Sequence, residues 1–418
     1  MSPLAGEHDR AHPMSPRMRM LTAYKGGQPD TVPVSPELWD ATAIAVNGNP
    51  FYQLMGPFAE RPWWKTHLEC FEHFQADAWI VPGPGPTERQ RAMRASESRF
   101  LDGEKTAIES RITYRTGRGT LHAVARTTNA YADWLLKHPV ETFPQDMLAY
   151  EEYFFDDPAA CDLLEIRDAL TGVDDKGLVT PIAGELFTSF LGTVREGGMA
   201  QTLLDLVDHP EYARRLRDRY IEYLAELARV ILERTQAEAI FINSNYSGPP
   251  IVSPAVYREW DKPVLAAVAA VCRRYGVPLH LHQHGRTVIL MEDLIEAGVS
   301  IVCPLLAPPQ GDVTDLAAVK KRFGTRIALK GHVDPIEVLL RRTPREVEAE
   351  VVRCIRAAAP GGGFVLGTAD STVLDTPFEN IHAFVEAGRR HGAYPLEDDV
   401  GAEWNEGRQH PGKTWAST

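Results

Sequence analysis

Short apolar runs alternate with longer amphipathic segments along most of the 418-residue chain. Each apolar run is bounded by glycine, proline or a polar residue, which is typical of a strand that is buried on both faces of a parallel sheet. Eight runs are predicted to be strands: Val32–Ser35, Ala78–Pro82, Leu178–Ala183, Ala239–Asn243, Pro278–Gln283, Val299–Pro304, Arg326–Gly331 and Gly363–Thr368.

Helical periodicity fills the gaps between these strands. Thr343 is expected to cap a helix that has Pro344 at its first position and Glu346 in its first turn, and Gly276 is expected to end another helix. Eight strand–helix units predict an α/β fold, a single-domain (β/α)8 TIM barrel. An open doubly wound sheet is the alternative, but no GxGxxG motif follows the first strand. The predicted helices are Pro210–Glu233, Pro254–Tyr275, Leu290–Ala297, Thr343–Ala358 and Phe378–His391.

An insertion and the two ends of the chain depart from this alternation. Residues Ser98–Arg126 alternate between polar and apolar, with Gly117 and Gly119 at a turn, so they are predicted to form an inserted β-hairpin in the N-terminal half. Residues 1–18 are polar, and residues 398–418 lack apolar periodicity. We therefore expect a flexible N-terminal arm (1–18), a barrel over residues 19–397 and a C-terminal tail (398–418).

The composition excludes several classes of protein. The net charge is −13 and no basic cluster is present, which argues against binding to nucleic acid or to an anionic membrane surface. No apolar run reaches the roughly 18 residues that a membrane span requires, and the N-terminus lacks the apolar core of a signal peptide. The five cysteines are scattered without a CxxC pair, which indicates reduced thiols and a cytoplasmic location.

The strongest local signal is the run LHLHQHG at residues 279–285. Because successive side chains of a strand point to opposite faces, His280, His282 and His284 are expected to share one face. That face would point to the barrel axis near the C-terminal strand end, where barrel enzymes have their active sites. Two imidazoles at positions i and i+2 can bind one metal ion. The alternative is that these histidines are polar core residues hydrogen-bonded to neighbours.

Asp370 is the best candidate for a third ligand, because it follows the eighth predicted strand at the same end of the barrel. With His282 and His284 it would complete a set of two imidazoles and one carboxylate with open positions, as in catalytic zinc sites. The same set suits iron or manganese. Asp370 could instead cap a turn. His280 could be a second-shell residue behind the metal ligands or a ligand itself.

Further polar residues fall at the ends of other predicted strands. We predict His332 as a catalytic proton donor or acceptor, because the ordinary pKa of histidine suits neutral pH. Cys303 lies between a valine and a proline and is expected to be a packed small side chain rather than a nucleophile. The residues expected to bind substrate from the facing loops are Glu185, Asn243, Asn245 and Tyr246.

Motifs along nearly the whole chain resemble the uroporphyrinogen decarboxylase superfamily, which includes the cobalamin-linked methyltransferases. The resemblance implies a (β/α)8 barrel and, for the methyltransferase branch, a corrinoid carried by a partner protein. The motifs are GGQPDTVPVSPELWD (26–40), GRGTLHAV (117–124), IVSPAVYREWDKP (251–263), HQHG (282–285), DLIEAGVSIVCP (293–304), LKGHVDP (329–335), GGGFVLGTADSTVLDTPFEN (361–380) and GAYP (392–395).

The chain departs from the family pattern at two places. It has no segment like the N-terminal Met-Arg-Gln-Ala-Gly-Arg of the true decarboxylases, so decarboxylation in the haem pathway is not expected. The thiol-alkylating methyltransferases carry His-x-Cys-Gly at the histidine strand and a second cysteine after the last strand. Here His282 matches their histidine, while His284 and Asp370 stand at the positions of the two cysteines.

This exchange of ligands changes the charge of the expected zinc site. Two thiolates and one imidazole leave zinc with no net charge, whereas two imidazoles and one carboxylate leave it with a positive charge and stronger Lewis acidity. We expect a metal-dependent methyltransferase that moves a methyl group between a small methylated substrate and a corrinoid or folate. A metal-dependent lyase, such as a decarboxylase of a small carboxylic acid, is the alternative. A protein that binds a ligand without catalysing a reaction is a third possibility. The sequence leaves open whether the protein is a homodimer.

Overall fold

The architecture is an α/β fold in which parallel strands are surrounded by helices. The structure is a computed structural model and describes residues 13–54, 58–130 and 134–396. Residues 1–12 of the predicted N-terminal arm lie outside the described residues, as does the whole predicted tail, 398–418. The described part of the predicted arm contains the start of the first helix, which begins at Pro16.

The strands of the described residues form a six-stranded parallel sheet, a two-stranded parallel sheet and a four-stranded antiparallel sheet. In chain order they are β1 (Ala78–Ile80), β2 (Arg94–Phe100), β3 (Ala107–Thr116), β4 (Gly119–Thr128), β5 (Trp134–Lys137), β6 (Gly177–Val179), β7 (Ile182–Glu185), β8 (Ile240–Ser244), β9 (Leu279–Gln283), β10 (Ile301–Cys303), β11 (Ala328–Val333) and β12 (Phe364–Thr368). The parallel sheets have the orders β12-β11-β10-β9-β8-β7 and β1-β6.

Six of the eight predicted strands are therefore confirmed, and two differ. The predicted strand Leu178–Ala183 is divided into β6 and β7, which belong to different sheets. Val32–Ser35 forms no regular ladder; Val34 makes a single parallel bridge to Leu366 of β12. On its other side, the Val34 carbonyl accepts a 2.8 Å hydrogen bond from the backbone N–H of Asp77, directly before β1. The segment thus lies between β12 and β1, but the regular ladders remain two separate parallel sheets.

The helices pack around these strands, and none of those described combines the length and apolar character that a membrane span requires. In chain order they are α1 (Pro16–Tyr24), α2 (Asp40–Asn47), α3 (Phe51–Leu54), α4 (Trp63–Phe74), α5 (Glu88–Met93), α6 (Gln145–Phe154), α7 (Leu164–Val173), α8 (Phe187–Val194), α9 (Gly198–Asp208), α10 (Pro210–Thr235), α11 (Pro254–Trp260), α12 (Lys262–Tyr275), α13 (Met291–Ala297), α14 (Leu316–Phe323), α15 (Pro344–Ala358) and α16 (Phe378–His391).

The predicted helix ends are confirmed at two places and one predicted helix is divided. Thr343 and Glu346 form a reciprocal capping box at the start of α15, and Gly276 ends α12 in the left-handed conformation, with φ of 68°. The predicted helix Pro254–Tyr275 is two helices, α11 and α12, separated at Asp261. Pro263 lacks the N–H that would continue the helical hydrogen-bond ladder across this point.

The predicted hairpin is the centre of the antiparallel sheet, which has the order β2-β3-β4-β5. Thr116 pairs with Gly119 across its turn. Alternate residues of β3 are buried, as expected for a sheet with one covered face. Tyr114 of β3 packs edge-on against Tyr150 and Tyr153 of α6, with ring centroids 5.6 Å and 4.7 Å apart. This insertion therefore packs through its own aromatic contacts with α6.

A buried carboxyl group joins the loops that follow β7 and β8. Asp261 accepts hydrogen bonds from the backbone N–H of Thr188, at 2.8 Å, and from its hydroxyl, at 2.7 Å. The Ser247 hydroxyl bonds to the Thr188 hydroxyl at 2.6 Å. Burial raises the pKa of Asp261 to about 7, although these hydrogen bonds oppose the shift. The carboxyl group therefore binds a proton in the folded protein at a pH where it is ionised in the unfolded chain.

The Asp261→Asn variant should lose a pH dependence of stability that the wild-type protein has. Because the folded state binds the extra proton, the wild-type free energy of unfolding should fall as pH rises from about 4 to about 7, by at most about 1.4 kcal/mol per pH unit, and level off above that. Urea unfolding across this range measures it. Asp168→Asn, at an exposed position of α7, should keep the wild-type slope. Equal slopes in wild type and Asp261→Asn would contradict the expectation.

Candidate metal site at the ends of the parallel strands

Four polar side chains lie in one layer across adjacent parallel strands. Glu185 of β7 pairs with Asn243 of β8, Asn243 pairs with His282 of β9, and His282 pairs with Cys303 of β10. All four are at or next to the C-terminal ends of their strands, where the loops of strand–helix units collect functional groups. The strand register therefore brings three predicted site residues together and adds Cys303 to them.

The three histidines lie on one face of β9, as the alternation predicts. His280 Nε2 is 3.0 Å from the Cys303 sulfur, and His282 Nδ1 is 3.2 Å from the same atom. The other ring nitrogen of His282, Nε2, is 2.7 Å from His284 Nε2. His282 thus contacts the buried thiol on one side and the partly exposed His284 on the other.

Asp370 lies beside the outer pair of imidazoles. Its Oδ2 atom is 3.7 Å from His284 Nε2, and the two side chains are 39% and 31% exposed. Its Oδ1 atom accepts a 2.7 Å hydrogen bond from the backbone N–H of the next residue, Ser371. Two ring nitrogens bound to one tetrahedral zinc ion at about 2.0–2.1 Å would be about 3.3–3.4 Å apart. The observed pair, at 2.7 Å, would therefore have to separate by about 0.6 Å to bind the ion. One oxygen of Asp370 is therefore available to an outer ligand set.

The one group of three potential metal ligands whose atoms are all close to one another, among the described residues, lies deeper in the protein. Among the described residues, Glu37, His282 and Cys303 are buried and offer ligand atoms that all lie within 4.8 Å of one another. These three residues could bind a metal, since carboxylate, imidazole and thiol are all zinc ligands. The sequence analysis missed Glu37. It follows the first predicted strand, so the strand-end position that singled out Glu185 could have identified it.

Glu37 also forms a fully buried ion pair. Its Oε1 atom is 3.1 Å from Lys330 Nζ, and neither side chain has any exposed surface. Lys330 Nζ lies 4.3 Å from the centroid of the Trp79 ring. A Cβ atom at Gly367 would lie 3.3–3.4 Å from the Lys330 side chain, so a glycine leaves room for it. Glu37 Oε2 is buried and has no hydrogen-bond partner among the described residues, which leaves a carboxylate oxygen suited to a cation or a proton donor.

Burial sets the ionisation of the inner side chains. It lowers the pKa of His282 well below its ordinary value, with further lowering by His284 and Lys330 and opposition from Asp370. It lowers the pKa of His280 in the same way. Burial also raises the pKa of the Cys303 thiol, and the nearby Glu37 carboxylate adds to the shift. Both imidazoles are therefore neutral near pH 7, which is the form that binds metal ions.

The predicted substrate-binding residues occupy the side of the site formed by β7 and β8. Burial raises the pKa of Glu185, whose oxygens are 3.4 Å from Asn243 Nδ2 and 3.3 Å from the Thr193 hydroxyl. Asn245 is half-buried and Tyr246 is 47% exposed in the loop after β8. Glu185 and Asn243 are thus in the layer of His282, while Asn245 and Tyr246 border it.

His332 is not brought together with the other predicted residues. Its Nδ1 atom is 2.7 Å from the Leu305 carbonyl oxygen, and the charged groups that act on its pKa are Arg353, Glu350 and Asp334. Strand alternation from Lys330 would have placed both side chains on the same face. Gly331, with φ of 152°, breaks that alternation. The catalytic role of His332 stays a prediction without support from its position.

The chain belongs to the uroporphyrinogen decarboxylase family. Residues 154–391, more than half of the chain, match the family model described as "Uroporphyrinogen decarboxylase (URO-D)". The resemblance inferred from the motifs is therefore confirmed for the family. The family relatives to which the chain is similar are enzymes, uroporphyrinogen decarboxylases.

The individual similarities are distant. The uroporphyrinogen decarboxylase of Coxiella burnetii (strain Dugway 5J108-111) is 24% identical over 161 residues, which are 36% of this chain and 40% of that protein. Uroporphyrinogen decarboxylase 1, chloroplastic, of Oryza sativa subsp. japonica is 24% identical over 224 residues, 52% of each chain. The matched regions thus span about half or less of these relatives. A methyltransferase structure from Methanosarcina mazei is 17% identical with a TM-score of 0.61, covering 90% of this chain and 99% of that one. This match shows the fold.

Breaking the Glu37–Lys330 pair should destabilise the protein strongly and non-additively. Glu37→Gln and Lys330→Met should each cost about 3–5 kcal/mol, because each leaves an uncompensated buried charge. The double variant removes both charges and should lose much less than the sum. Urea unfolding of chelator-treated protein measures these free energies. The exposed pair Arg229 and Glu233, changed in the same way, should show a coupling of only about 0.5 kcal/mol. Additive losses of unfolding free energy in Glu37→Gln and Lys330→Met would contradict the buried ion pair.

Proposed function

We propose that this protein is a metal-dependent methyltransferase of the uroporphyrinogen decarboxylase family. It would move a methyl group between a small methylated substrate and a corrinoid or folate acceptor. One observation carries the proposal: the Nε2 atoms of His282 and His284 lie 2.7 Å apart beside Asp370, at the ends of the parallel strands.

The proposal includes a closed (β/α)8 barrel as the scaffold. Val34 bridges β12 on one side and hydrogen-bonds to the residue before β1 on the other, which supports its role as the first of eight parallel strands. Between β6 and β7, the Pro181 carbonyl accepts a 2.9 Å hydrogen bond from the N–H of Phe241 in β8. This contact supports continuity between the two parallel sheets. A barrel of this kind places the layer of His282 at its C-terminal opening.

We assign the outer set, His282, His284 and Asp370, as the metal ligands. Two neutral imidazoles and one carboxylate favour zinc, and also suit iron or manganese. A zinc ion bound there supplies Lewis acidity to an oxygen, nitrogen or sulfur atom of the methyl donor. The one-third exposure of His284 and Asp370 leaves an approach for the substrate.

The remaining predicted residues would bind and orient the substrate. Glu185 and Asn243 lie in the layer of His282 and can hydrogen-bond to polar atoms of the substrate. Asn245 and Tyr246 border the opening, and the exposed Tyr246 ring can exclude water from it. His280 is proposed to lie behind His282 without binding the ion. A corrinoid carried by a partner protein is the proposed methyl acceptor.

A metal-dependent lyase is the second candidate, and the same ligand set supports it. A positively charged metal site can bind a small carboxylate and stabilise negative charge that develops during its decarboxylation. The sequence similarity of residues 154–391 to decarboxylases is consistent with this chemistry. The two candidates share the metal site and differ in whether a methyl acceptor is required.

Metal analysis tests the assigned ligands. Purified wild-type protein should contain about one equivalent of a divalent transition metal, by plasma mass spectrometry. His284→Ala should lose it, and Asp370→Asn should bind it more weakly, because each variant removes one ligand. His122→Ala, at an exposed position of β4, is the histidine control and should match the wild type. Full metal content in both His284→Ala and Asp370→Asn would show that the outer set does not hold the metal.

An assay with cob(I)alamin separates the two candidate reactions. With a methoxy, methylthio or methylamine donor, the methyltransferase should convert cob(I)alamin to methylcobalamin, which is followed by absorbance, and chelator treatment should stop the conversion. Tetrahydrofolate serves as the second acceptor. Failure of every donor with both acceptors would refute the methyltransferase. Carbon dioxide released from small carboxylic acids without a corrinoid would support the lyase instead.

A further inference from the structure

We propose that Cys303 is a positioning residue for the metal site and not a metal ligand. Its sulfur accepts the Nδ1–H of His282, which fixes the tautomer and orientation of that imidazole and presents Nε2 to the metal. The inference rests on the proposed function, because it assumes that the outer set of His282, His284 and Asp370 holds the ion.

Two imidazole rings of one strand converge on the Cys303 sulfur. His280 Nε2 is 3.0 Å and His282 Nδ1 is 3.2 Å from Sγ, and Cys303 has no exposed surface. Both nitrogens are within hydrogen-bond reach of the sulfur. Ring nitrogens that bind no metal need such a partner when they are buried, and the sulfur is the shared partner here.

The proton on His280 is assigned by the buried hydroxyl of Tyr24. The Tyr24 hydroxyl lies 3.2 Å from His280 Nδ1, and burial raises the pKa of Tyr24 well above its ordinary value, so the hydroxyl keeps its proton. Because His280 Nδ1 is the one hydrogen-bond partner of this hydroxyl among the described residues, the hydroxyl donates to Nδ1. Neutral His280 then carries its own proton on Nε2, which donates to the Cys303 sulfur.

The protons on His282 and Cys303 follow from the neighbouring groups. When Nε2 of His282 binds the metal beside His284, its neutral ring carries the proton on Nδ1 and donates it to the Cys303 sulfur. The S–H of Cys303 can then point to Glu37, whose buried Oε2 atom has no other partner among the described residues. With this single assignment, each ring nitrogen of His280 and His282, the thiol and both Glu37 oxygens have a partner or the metal.

Direct binding of a metal by Cys303 would break this arrangement. His282 would then have to bind the metal through Nδ1. Its Nε2 atom would face His284 Nε2 and would not bind an ion beside Asp370. The metal would also lie beside Glu37, whose carboxylate is 3.1 Å from the Lys330 ammonium. The positive charges of the metal and of Lys330 would then repel each other in a buried environment. The assigned positions of the protons and the charge of Lys330 therefore both favour the outer set.

Metal affinity in three variants tests the positioning role. Zinc affinity, measured by competition with a chelator, should fall about 10–100-fold in Cys303→Ala, because the imidazole loses its fixed orientation. Cys303→Ser should restore most of the affinity, since its hydroxyl can also accept the Nδ1–H. Cys272→Ala removes a thiol from α12 that is only 2% exposed, and it should match the wild type. Unchanged affinity in Cys303→Ala would overturn the proposal.

X-ray absorption of the zinc-loaded wild-type protein tests whether Cys303 is a ligand. Only nitrogen and oxygen ligands at about 2.0–2.1 Å are expected, and a sulfur ligand at about 2.3 Å would overturn the proposal. Cobalt-loaded protein should correspondingly lack the thiolate charge-transfer band in both wild type and Cys303→Ala. A wild-type protein that binds no metal would refute the proposed function itself. A metal-binding wild type with unchanged affinity in Cys303→Ala would refute only the inference about Cys303.

Discussion

The buried ion pair between Lys330 and Glu37 is the constraint on which the interior depends. Removing both charges from water costs several kcal/mol per ion, so neither can remain buried without the other. The pair joins the segment after Val32–Ser35 to β11, and its ammonium group lies over the Trp79 ring. Because Lys330 takes one oxygen of Glu37, only the second oxygen is left for Cys303. The same interaction thus holds the strands together and orders the groups behind the candidate metal site.

From this pair outward, the site passes from groups without exposed surface to groups that meet solvent. Tyr24, His280 and Cys303 are fully buried, and their hydrogen bonds allow one arrangement of protons. His282 connects them to His284 and Asp370, which are about one-third exposed. The buried side can therefore fix geometry while the exposed side exchanges ligands. This division is the requirement of a metal centre that must hold its ion and still admit a substrate.

The sequence predicted the local features of this site and missed those that depend on strand register. The shared face of His280 and His282 follows from alternation within β9, and six strands were found because each is a bounded apolar run. The contact of Cys303 with His280 and His282 comes from pairing between β9 and β10, which no local pattern shows. Glu37 and Lys330 are 293 residues apart in the chain. His332 was predicted from its position near a strand end and from the ordinary pKa of histidine, and neither shows which side chains surround it.

The space left by Gly367 has a consequence for how this interior can vary. A Cβ at that position would lie 3.4 Å from Lys330 Nζ and 3.1 Å from the Ser35 carbonyl oxygen. A side chain at position 367 would therefore compete with the lysine for the same volume. Positions 37, 330 and 367 should therefore covary. Where a larger residue replaces the glycine, a shorter neutral side chain is expected at 330, and with it the loss of the acid at 37. This triplet would distinguish, within an alignment, the relatives that share this charged interior from those with an apolar one.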